Sequence, residues 1–155
     1  MATIADKNPV NGGVMITASH LPFNRNGFKF FTSQGGLDKK DISEILSIAE
    51  SDKFVESPVS GSFEKREFID EYSDFLVDYI RKGANNTTNF EAPLNGLKII
   101  VDAGNGAGGF FATKVLSRLG AITEGSQFLD PNGNFPNHIP NPEDKNAMDS
   151  ICDAV

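Results

Sequence analysis

The chain has 155 residues, of which 39% are hydrophobic and 23% are charged, so its composition supports a packed core. Its formal net charge is −7 and no stretch concentrates Lys or Arg, which argues against sequence-independent nucleic-acid binding. The single cysteine, Cys152, excludes an intrachain disulfide, and no apolar run reaches transmembrane length. The N-terminal residues lack the charged and apolar zones of a signal peptide, so we expect a soluble protein of the cytoplasm or the plastid stroma.

Two strands are predicted near the start of the chain. A short apolar run at 14–17 follows two glycines and is typical of a buried strand. A polar loop at 18–27 comes next, and 28–32 predicts a second strand, which Gly35 and Gly36 end.

Two helices follow these strands. Asp38 is the predicted N-terminal cap of a helix at 39–50, and a Pro/Ser/Gly linker separates it from a second helix at 64–82. Gly83 is the predicted left-handed cap of the second helix. The apolar stripe of the first helix is Ile42, Ile45, Leu46 and Ala49. The apolar face of the second helix is Phe68, Ile69, Tyr72, Phe75, Leu76, Tyr79 and Ile80.

A polar stretch at 84–94, rich in Asn and Thr, is the predicted linker between a first domain part at 1–83 and a second at 95–155. The second part alternates strand and helix, which argues for an α/β fold. Its predicted elements are a strand at 97–101, a glycine turn at 104–109, a helix at 110–119, a strand at 122–129, a loop at 130–142 and the opening of a helix at 143–155. The first strand is nearly continuously apolar, as in a parallel sheet buried on both faces. The helix at 110–119 is stopped by Gly120, and its inward residues are Phe111, Val115, Leu116 and Leu119.

Ser19 lies just past the end of the first predicted strand, where open α/β sheets carry their ligand-binding loops. A phosphate on this serine would need cations and N–H donors around it, and His20, Arg25 and Lys29 are the candidates. Composition alone favours an ordinary turn, because Ser, His, Pro, Asn and Gly are common turn residues.

The same loop resembles the phosphoserine loop of the phosphoglucomutase/phosphomannomutase family. The matching residues are Thr17, Ala18, Ser19, His20 and Pro22, followed by Asn26, Gly27, Phe28 and Lys29. The resemblance implies that Ser19 carries the transferred phosphoryl group and that its phosphate also binds the metal. It further implies that His20 donates a hydrogen bond to the phosphate and that Lys29 transfers protons and stabilises charge. Leu21 departs from the family pattern, which usually has Asn there, and this bears on substrate choice.

The glycine turn at 104–109 has two interpretations. Gly-x-Gly-x-x-Gly between a strand and a helix is the dinucleotide-binding fingerprint, but the glycines also suit a tight turn with close packing. The stretch resembles the opening of the second domain of the same mutases, and 130–143 resembles a further segment of that domain, Asp-Gly-Asn-Phe-Pro-Asn-His-x-Pro-x-Pro. These matches favour the packing interpretation, and His138 is interpreted as part of the loop structure.

The resemblance implies parts of two successive α/β/α domains with mixed or mostly parallel sheets. For the parent protein it implies phosphoryl transfer on a hexose phosphate through a phosphoserine and a hexose bisphosphate, which is both intermediate and activator. Mg²⁺ is the implied cofactor, and its Asp-Gly-Asp-x-Asp-Arg loop is not in this chain, so we expect the isolated chain to be inactive. The expected partners are the substrate and the remaining domains of the parent protein, without nucleic acid or membrane. The alternatives are a catalytically silent sugar-phosphate-binding relative and a dinucleotide-binding module using Gly104 to Gly109.

Overall fold

A computed structural model describes residues 10–155. The first nine residues, which the sequence assigns to the first domain part, lie outside the described residues. The described chain divides into two compact units, one made of residues 10–17 and 27–67 and the other of residues 18–26 and 68–155. In the described part of the chain, no helix combines the length and the apolar character needed to cross a bilayer.

The first unit contains a three-stranded antiparallel sheet in the order β1-β2-β3. Its strands are β1 (Gly12–Ile16), β2 (Phe28–Thr32) and β3 (Gly35–Gly36). The prediction of a strand at 28–32 is confirmed, and Met15 pairs with Lys29 across β1 and β2. β2 ends at Thr32, just before the two glycines that the sequence expects to end it, and Gly35 and Gly36 then return beside β2 as a short third strand. The φ of Gly35, 131°, is open to glycine and allows this reversal.

The sheet is less covered than the sequence predicts. All five residues of β1 are exposed, including 57% of Val14 and 71% of Ile16, so the expectation of a buried strand is wrong. An apolar run in a strand is buried only if another layer packs on the sheet. Among the described helices and strands, β1 contacts β2 alone.

The helix α1 (Lys39–Ser51) begins where the sequence predicts. The Asp38 carboxylate accepts hydrogen bonds from the backbone N–H groups of Lys40 (2.8 Å) and Asp41 (3.0 Å). The Asp41 carboxylate accepts one from the Asp38 N–H at 3.2 Å, which completes a capping box. Burial of its predicted apolar stripe is not observed: Leu46 is 55% exposed, because no described element packs on this helix.

The helix α2 (Ile69–Ala84) opens the second unit after Phe68 and starts five residues later than predicted. Residues 64–67 are all charged and exposed, so no apolar packing extends the helix to them. Asn85 (φ 45°), rather than Gly83, takes the left-handed cap, and its N–H donates to the Arg81 carbonyl. Its fully buried residues are Ser73 and Val77, which lie one helical turn apart. Neither residue belongs to the predicted apolar face.

The core of the second unit forms where α2 packs on a helix at 111–119. That helix is a π-helix over Phe111–Leu116 and a 3₁₀-helix over Ser117–Leu119. Gly120 ends it with φ 90°, as predicted. Its buried residues are Ala112, Val115 and Leu119, so the inward face includes Ala112 in place of the predicted Phe111, which is 38% exposed. The buried cluster consists of Val77, Val115 and Leu119, with Leu76, Ile80, Leu94 and Phe110 packed against it.

Two parallel segments replace the predicted strands at 97–101 and 122–129. They are joined at two separate pairs, Lys98 with Ile122 and Asp102 with Gln127. Between these two pairs the first segment advances by four residues and the second by five. The second segment therefore carries one extra residue, a bulge. At the bulge the Val101 N–H donates to the Ser126 hydroxyl at 3.0 Å instead of to a neighbouring backbone.

The parallel segments are also less buried than predicted. Leu97 is 53% exposed and Ile99 and Ile100 are half-buried, so the first segment is not covered on both faces. The chain ends in α3 (Lys145–Ala154), close to the predicted helix. The Asp144 carboxylate caps this helix by accepting hydrogen bonds from two backbone N–H groups at its start.

Candidate active site

The loop that carries Ser19 leaves β1 and returns to β2. At its base, the Thr17 N–H donates a hydrogen bond to the Gly27 carbonyl at 2.9 Å. A Cβ atom at position 27 would lie 2.8 Å from the Thr17 carbonyl oxygen, so this close approach requires glycine. Gly27, which is part of the sequence motif, is therefore required on steric grounds at the point where the loop closes.

Ser19 lies in a tight turn within the loop. The Leu21 N–H donates to the Ala18 carbonyl at 3.1 Å, which closes a four-residue turn with Ser19 at its second position. The φ of Ser19 is 57°, a left-handed conformation that non-glycine residues rarely adopt. Such a conformation costs of order 1–3 kcal/mol and recurs at functional sites.

The Ser19 hydroxyl has an imidazole beside it. Its Oγ lies 3.3 Å from Nδ1 of His20, and both residues are exposed. A serine hydroxyl is a weak nucleophile unless a base or an electrostatic partner assists it. The structure thus brings together two of the three predicted catalytic residues, in a position open to a ligand from solvent.

Lys29, the third predicted residue, lies on β2 in the first unit. It is exposed and pairs with Met15 of β1, so its position along the sheet is fixed by strand register. Arg25 lies in a second turn of the loop, where its N–H donates to the Pro22 carbonyl at 3.0 Å. The joint action of Lys29 with Ser19 remains a proposal.

The glycine turn at 104–109 is packed against the protein itself. A Cβ atom on Gly109 would lie only 1.8 Å from the Leu129 carbonyl oxygen. Gly104 has φ 51°, and a Cβ atom there would lie 2.8 Å from Cε1 of His138. These approaches give the two glycines a packing role, which is the interpretation that the sequence resemblance favours.

A buried polar cluster next to this turn was not identified from the sequence. The Asp102 and His138 side chains are only 7% and 10% exposed, and His138 Nε2 lies 3.0 Å from Asp102 Oδ1. Asp102 also accepts hydrogen bonds from the Gly104 N–H and from Gln127 Nε2, each at 2.8 Å. The sequence signal was a carboxylate directly after an apolar strand, but its partner lies 36 positions further along the chain.

The environment of this pair shifts both groups toward their charged forms. A hydrogen bond to the Ile139 carbonyl raises the pKa of His138, and the hydrogen bond and negative charge of Asp102 raise it further. Burial acts in the opposite direction but does not cancel the increase in pKa. Burial acts to raise the pKa of Asp102, but hydrogen bonds from Gln127, His138 and Gly104 outweigh it and hold that pKa below its ordinary value.

Within residues 10–155, no group of three or more His, Cys, Asp or Glu side chains is placed to hold a metal ion. The described residues therefore do not by themselves fit a Mg²⁺ site, which needs several oxygen ligands.

Comparison with known proteins gives a consistent match along the chain. The family model for phosphoglucomutase/phosphomannomutase alpha/beta/alpha domain II matches residues 71–155. The model for alpha/beta/alpha domain I of the same family matches residues 1–56. The two α/β/α domains that the sequence predicts are thus supported by separate matches.

Several curated proteins and one solved structure are similar to the chain. It is 39% identical over 142 residues to a phosphoglucomutase of Neisseria gonorrhoeae, covering 90% of this chain and 28% of that protein. It is 33% identical over 154 residues to a phosphomannomutase of Escherichia coli, covering 94% of this chain and 32% of that protein.

The crystal structure of a phosphoglucomutase/phosphomannomutase family protein from Burkholderia thailandensis matches with a TM-score of 0.73 and 29% identity, over 94% of this chain and 29% of that one. The chain thus spans less than a third of the length of these relatives. The sequence motifs, the two domain matches and the shared fold together show that the chain belongs to the phosphoglucomutase/phosphomannomutase family.

Proposed function

We propose that the parent protein transfers a phosphoryl group reversibly between two positions of a hexose phosphate, with Ser19 as the phosphoryl carrier. The observation that carries this proposal is the exposed Ser19 hydroxyl on a strained turn, 3.3 Å from the His20 imidazole, in a chain of this family. Relatives named phosphoglucomutase and phosphomannomutase support a hexose phosphate as the substrate class.

The transfer proceeds in two mirrored steps. A free hydroxyl oxygen of the sugar phosphate attacks the phosphorus of phosphorylated Ser19, so that a P–O bond to the sugar forms and the P–O bond to Ser19 Oγ breaks. The proton of the sugar hydroxyl passes to a base, and Ser19 Oγ regains a proton. The resulting hexose bisphosphate turns over and returns its other phosphoryl group to Ser19 by the reverse chemistry.

Besides Ser19, two groups are assigned roles in this scheme. His20 donates a hydrogen bond to the phosphate on Ser19, consistent with its position beside the hydroxyl. Lys29 exchanges the proton of the sugar hydroxyl and stabilises negative charge, a role that rests on its match to the family motif. Phosphoryl transfer depends mainly on alignment and charge stabilisation, which are the contributions proposed for His20 and Lys29.

Mg²⁺ is proposed as the cofactor of the parent protein, with its carboxylate ligands outside the described residues. Because residues 10–155 hold no such cluster, we infer that the 155-residue chain alone does not sustain turnover. A coupled assay of the isolated chain with Mg²⁺ and a hexose bisphosphate checks this inference, and sustained turnover would contradict it.

The decisive experiment replaces Ser19 with Ala in the full-length protein. Alanine offers no oxygen for the phosphate, so we expect loss of the phosphorylated species by intact mass and loss of turnover in the coupled assay. Ser47→Ala, on the exposed face of α1, is the matched control and should retain both. Wild-type turnover in Ser19→Ala would refute the proposal.

Thermal unfolding separates chemistry from structure in the same experiment. Ser19→Ala should change stability by no more than about 0.5 kcal/mol, because the exposed hydroxyl contributes no core packing. If turnover is lost only because the protein unfolds, Ser19 is a structural residue. Saturable hexose-phosphate binding by a wild-type protein without turnover would instead support a catalytically silent relative, for which Leu21 is the motivating departure.

A further inference from the structure

The buried cluster around Asp102 joins three separate segments of the second unit. Asp102 and Gln127 stand at the carboxyl ends of the two parallel segments, and His138 comes from the loop at 130–142. Gln127 Nε2 donates to Asp102 at 2.8 Å and to the Ser150 hydroxyl at 2.7 Å, which links the cluster to α3. The loop is thus connected through side chains to both parallel segments and to the helix that follows it.

The protonation state of His138 follows from its partners. Its Nδ1 lies 2.9 Å from the Ile139 carbonyl oxygen, and its Nε2 lies 3.0 and 3.1 Å from the two oxygens of Asp102. A carbonyl oxygen and an ionised carboxylate can only accept hydrogen bonds. Both contacts are satisfied as hydrogen bonds at the same time only when both ring nitrogens donate, which is the imidazolium form.

The ring also lies directly on the glycine turn. A Cβ atom on Gly104 would be 2.8 Å from His138 Cε1, and the edge of the ring contacts Phe128 at a centroid distance of 5.5 Å. Two uncharged contacts accompany the pair: Asn105 Nδ2 donates to the Asp130 carbonyl at 2.9 Å, and Asn137 Nδ2 donates to Asn105 Oδ1 at 2.6 Å. The loop is therefore held on the turn by one charged pair, by side-chain amide contacts to Asn105 and by a backbone hydrogen bond from the Asn132 N–H to the Asn105 carbonyl at 2.8 Å.

We propose that the Asp102–His138 pair is a charged latch that holds the 130–142 loop on the glycine turn and that loosens when the His138 ring loses its proton. Through His138 the loop contacts Asp102 at the carboxyl end of the first parallel segment, and ligands approach α/β sheets at that edge. Opening the latch would uncover that edge. This conformational device does not depend on the phosphoryl transfer proposed for Ser19.

The pH range of the latch follows from the two pKa shifts. The pKa of His138 is raised, so the stabilisation by the charged pair is complete below the ordinary pKa of an imidazole. It is lost as the pH rises through the raised pKa. The pKa of Asp102 is lowered, so on the acid side the stabilisation by the charged pair is lost only as the pH falls through that lowered pKa. The charged groups facing the ring are Asp102 from the first parallel segment and Asp144 at the start of α3, and both favour the cation.

Hydrogen exchange of the full-length protein, followed by mass spectrometry of peptides covering 130–142, tests the latch. In Asp102→Asn, the amide nitrogen must face either the Gly104 N–H or Gln127 Nε2, so a donor would meet a donor. Removing one partner of a buried pair is strongly destabilising, so at about pH 6 we expect these amides to exchange at least about tenfold faster than in the wild type. Asp149→Asn makes the same chemical change at an exposed helix pair with Lys145 and should match the wild type.

Equal exchange of the loop in Asp102→Asn and wild type at about pH 6 would overturn the latch. His138→Gln tests the charged form, because glutamine cannot become a cation. The difference in loop exchange between wild type and His138→Gln, corrected for intrinsic rates, should be large at about pH 6 and small at about pH 9. A difference that is independent of pH would overturn the role of protonation.

A measurement on the wild type keeps the proposal testable even if a variant fails to fold. The exchange rate of the carbon-bound hydrogen at the imidazole C2 position reports the titration of each histidine. His138 should titrate above the ordinary imidazole range. Titration of His138 at or below that range would show a neutral ring in the cluster and would overturn the proposal.

Discussion

Replacing Gly109 by Ala tests the packing role of the glycine turn. The added Cβ atom would lie 1.8 Å from the Leu129 carbonyl oxygen, 2.6 Å from its carbonyl carbon and 2.8 Å from its Cα. All three are backbone atoms, so no side-chain rotation can relieve the overlap. Bringing the nearest contact to 3.0 Å, which Cβ atoms in proteins rarely go below, would separate the two chain segments by about 1.2 Å.

That separation would break specific interactions. The Asn105 N–H donates to the Phe128 carbonyl at 2.9 Å, and Asn105 Nδ2 donates to the Asp130 carbonyl at 2.9 Å, on either side of Leu129. Losing two hydrogen bonds costs about 1–3 kcal/mol, and forcing extra volume into a packed site costs about 1–3 kcal/mol more. We expect Gly109→Ala to destabilise the protein by roughly 2–6 kcal/mol.

Calorimetric unfolding of the full-length protein measures this effect, and Gly108→Ala is the matched control. A Cβ atom on Gly108 would meet only the Phe111 ring at 4.0 Å, an ordinary van der Waals distance, so its transition should stay close to that of the wild type. The Gly109→Ala transition should fall by several degrees, since 1 kcal/mol shifts Tm by roughly 2–4 °C in a domain of 150–250 residues. Equal transitions in the two variants would refute the packing account of this turn.

Two further predictions concern the core and the catalytic loop. Leu119→Ala removes a fully buried side chain and should lower the free energy of unfolding by about 2–5 kcal/mol in urea titrations, whereas Leu46→Ala, at a residue that is 55% exposed, should stay within about 0.5 kcal/mol. A loss in Leu119→Ala as small as that expected for Leu46→Ala would mean that the core does not lie where α2 meets the 111–119 helix. Lys29→Met should lower turnover in the full-length protein by roughly two or more orders of magnitude, the scale of losing an acid/base group or a transition-state cation. Arg25→Met should cost much less in the same coupled assay, and similar losses in the two would count against the role of Lys29.

Local signals in the sequence predicted the elements that local interactions fix. Asp38 identified the start of α1, because a capping box is made within four residues. Gly120 identified the end of the 111–119 helix, because its φ of 90° suits glycine. The Ser19 loop could be identified because its residues lie close together in sequence.

The predictions that were wrong, and the contacts that were missed, concern features that depend on distant parts of the chain. The apolar pattern of β1 predicted burial, but the pattern cannot say whether another layer covers the strand. The buried residues of α2 are Ser73 and Val77 because the partner helix at 111–119, distant in sequence, decides which side of α2 is covered. The Asp102–His138 pair joins positions 36 apart, and neither residue has a local signature that names the other.

The left-handed residues show why side chains are kept where glycine would fit more easily. Asn105 has φ 59°, and its amide both donates to the Asp130 carbonyl and accepts from Asn137, contacts that glycine could not make. Ser19 has φ 57°, yet serine lacks the tolerance of this region that Asn and Gly share. By the same reasoning, the hydroxyl is the feature that justifies a strained serine at this turn. Ser19→Gly should then be more stable than Ser19→Ala by about 1 kcal/mol, because only glycine relieves the strain, while both lose the phosphate. A Ser19→Ala variant as stable as Ser19→Gly would show that the turn carries no such strain.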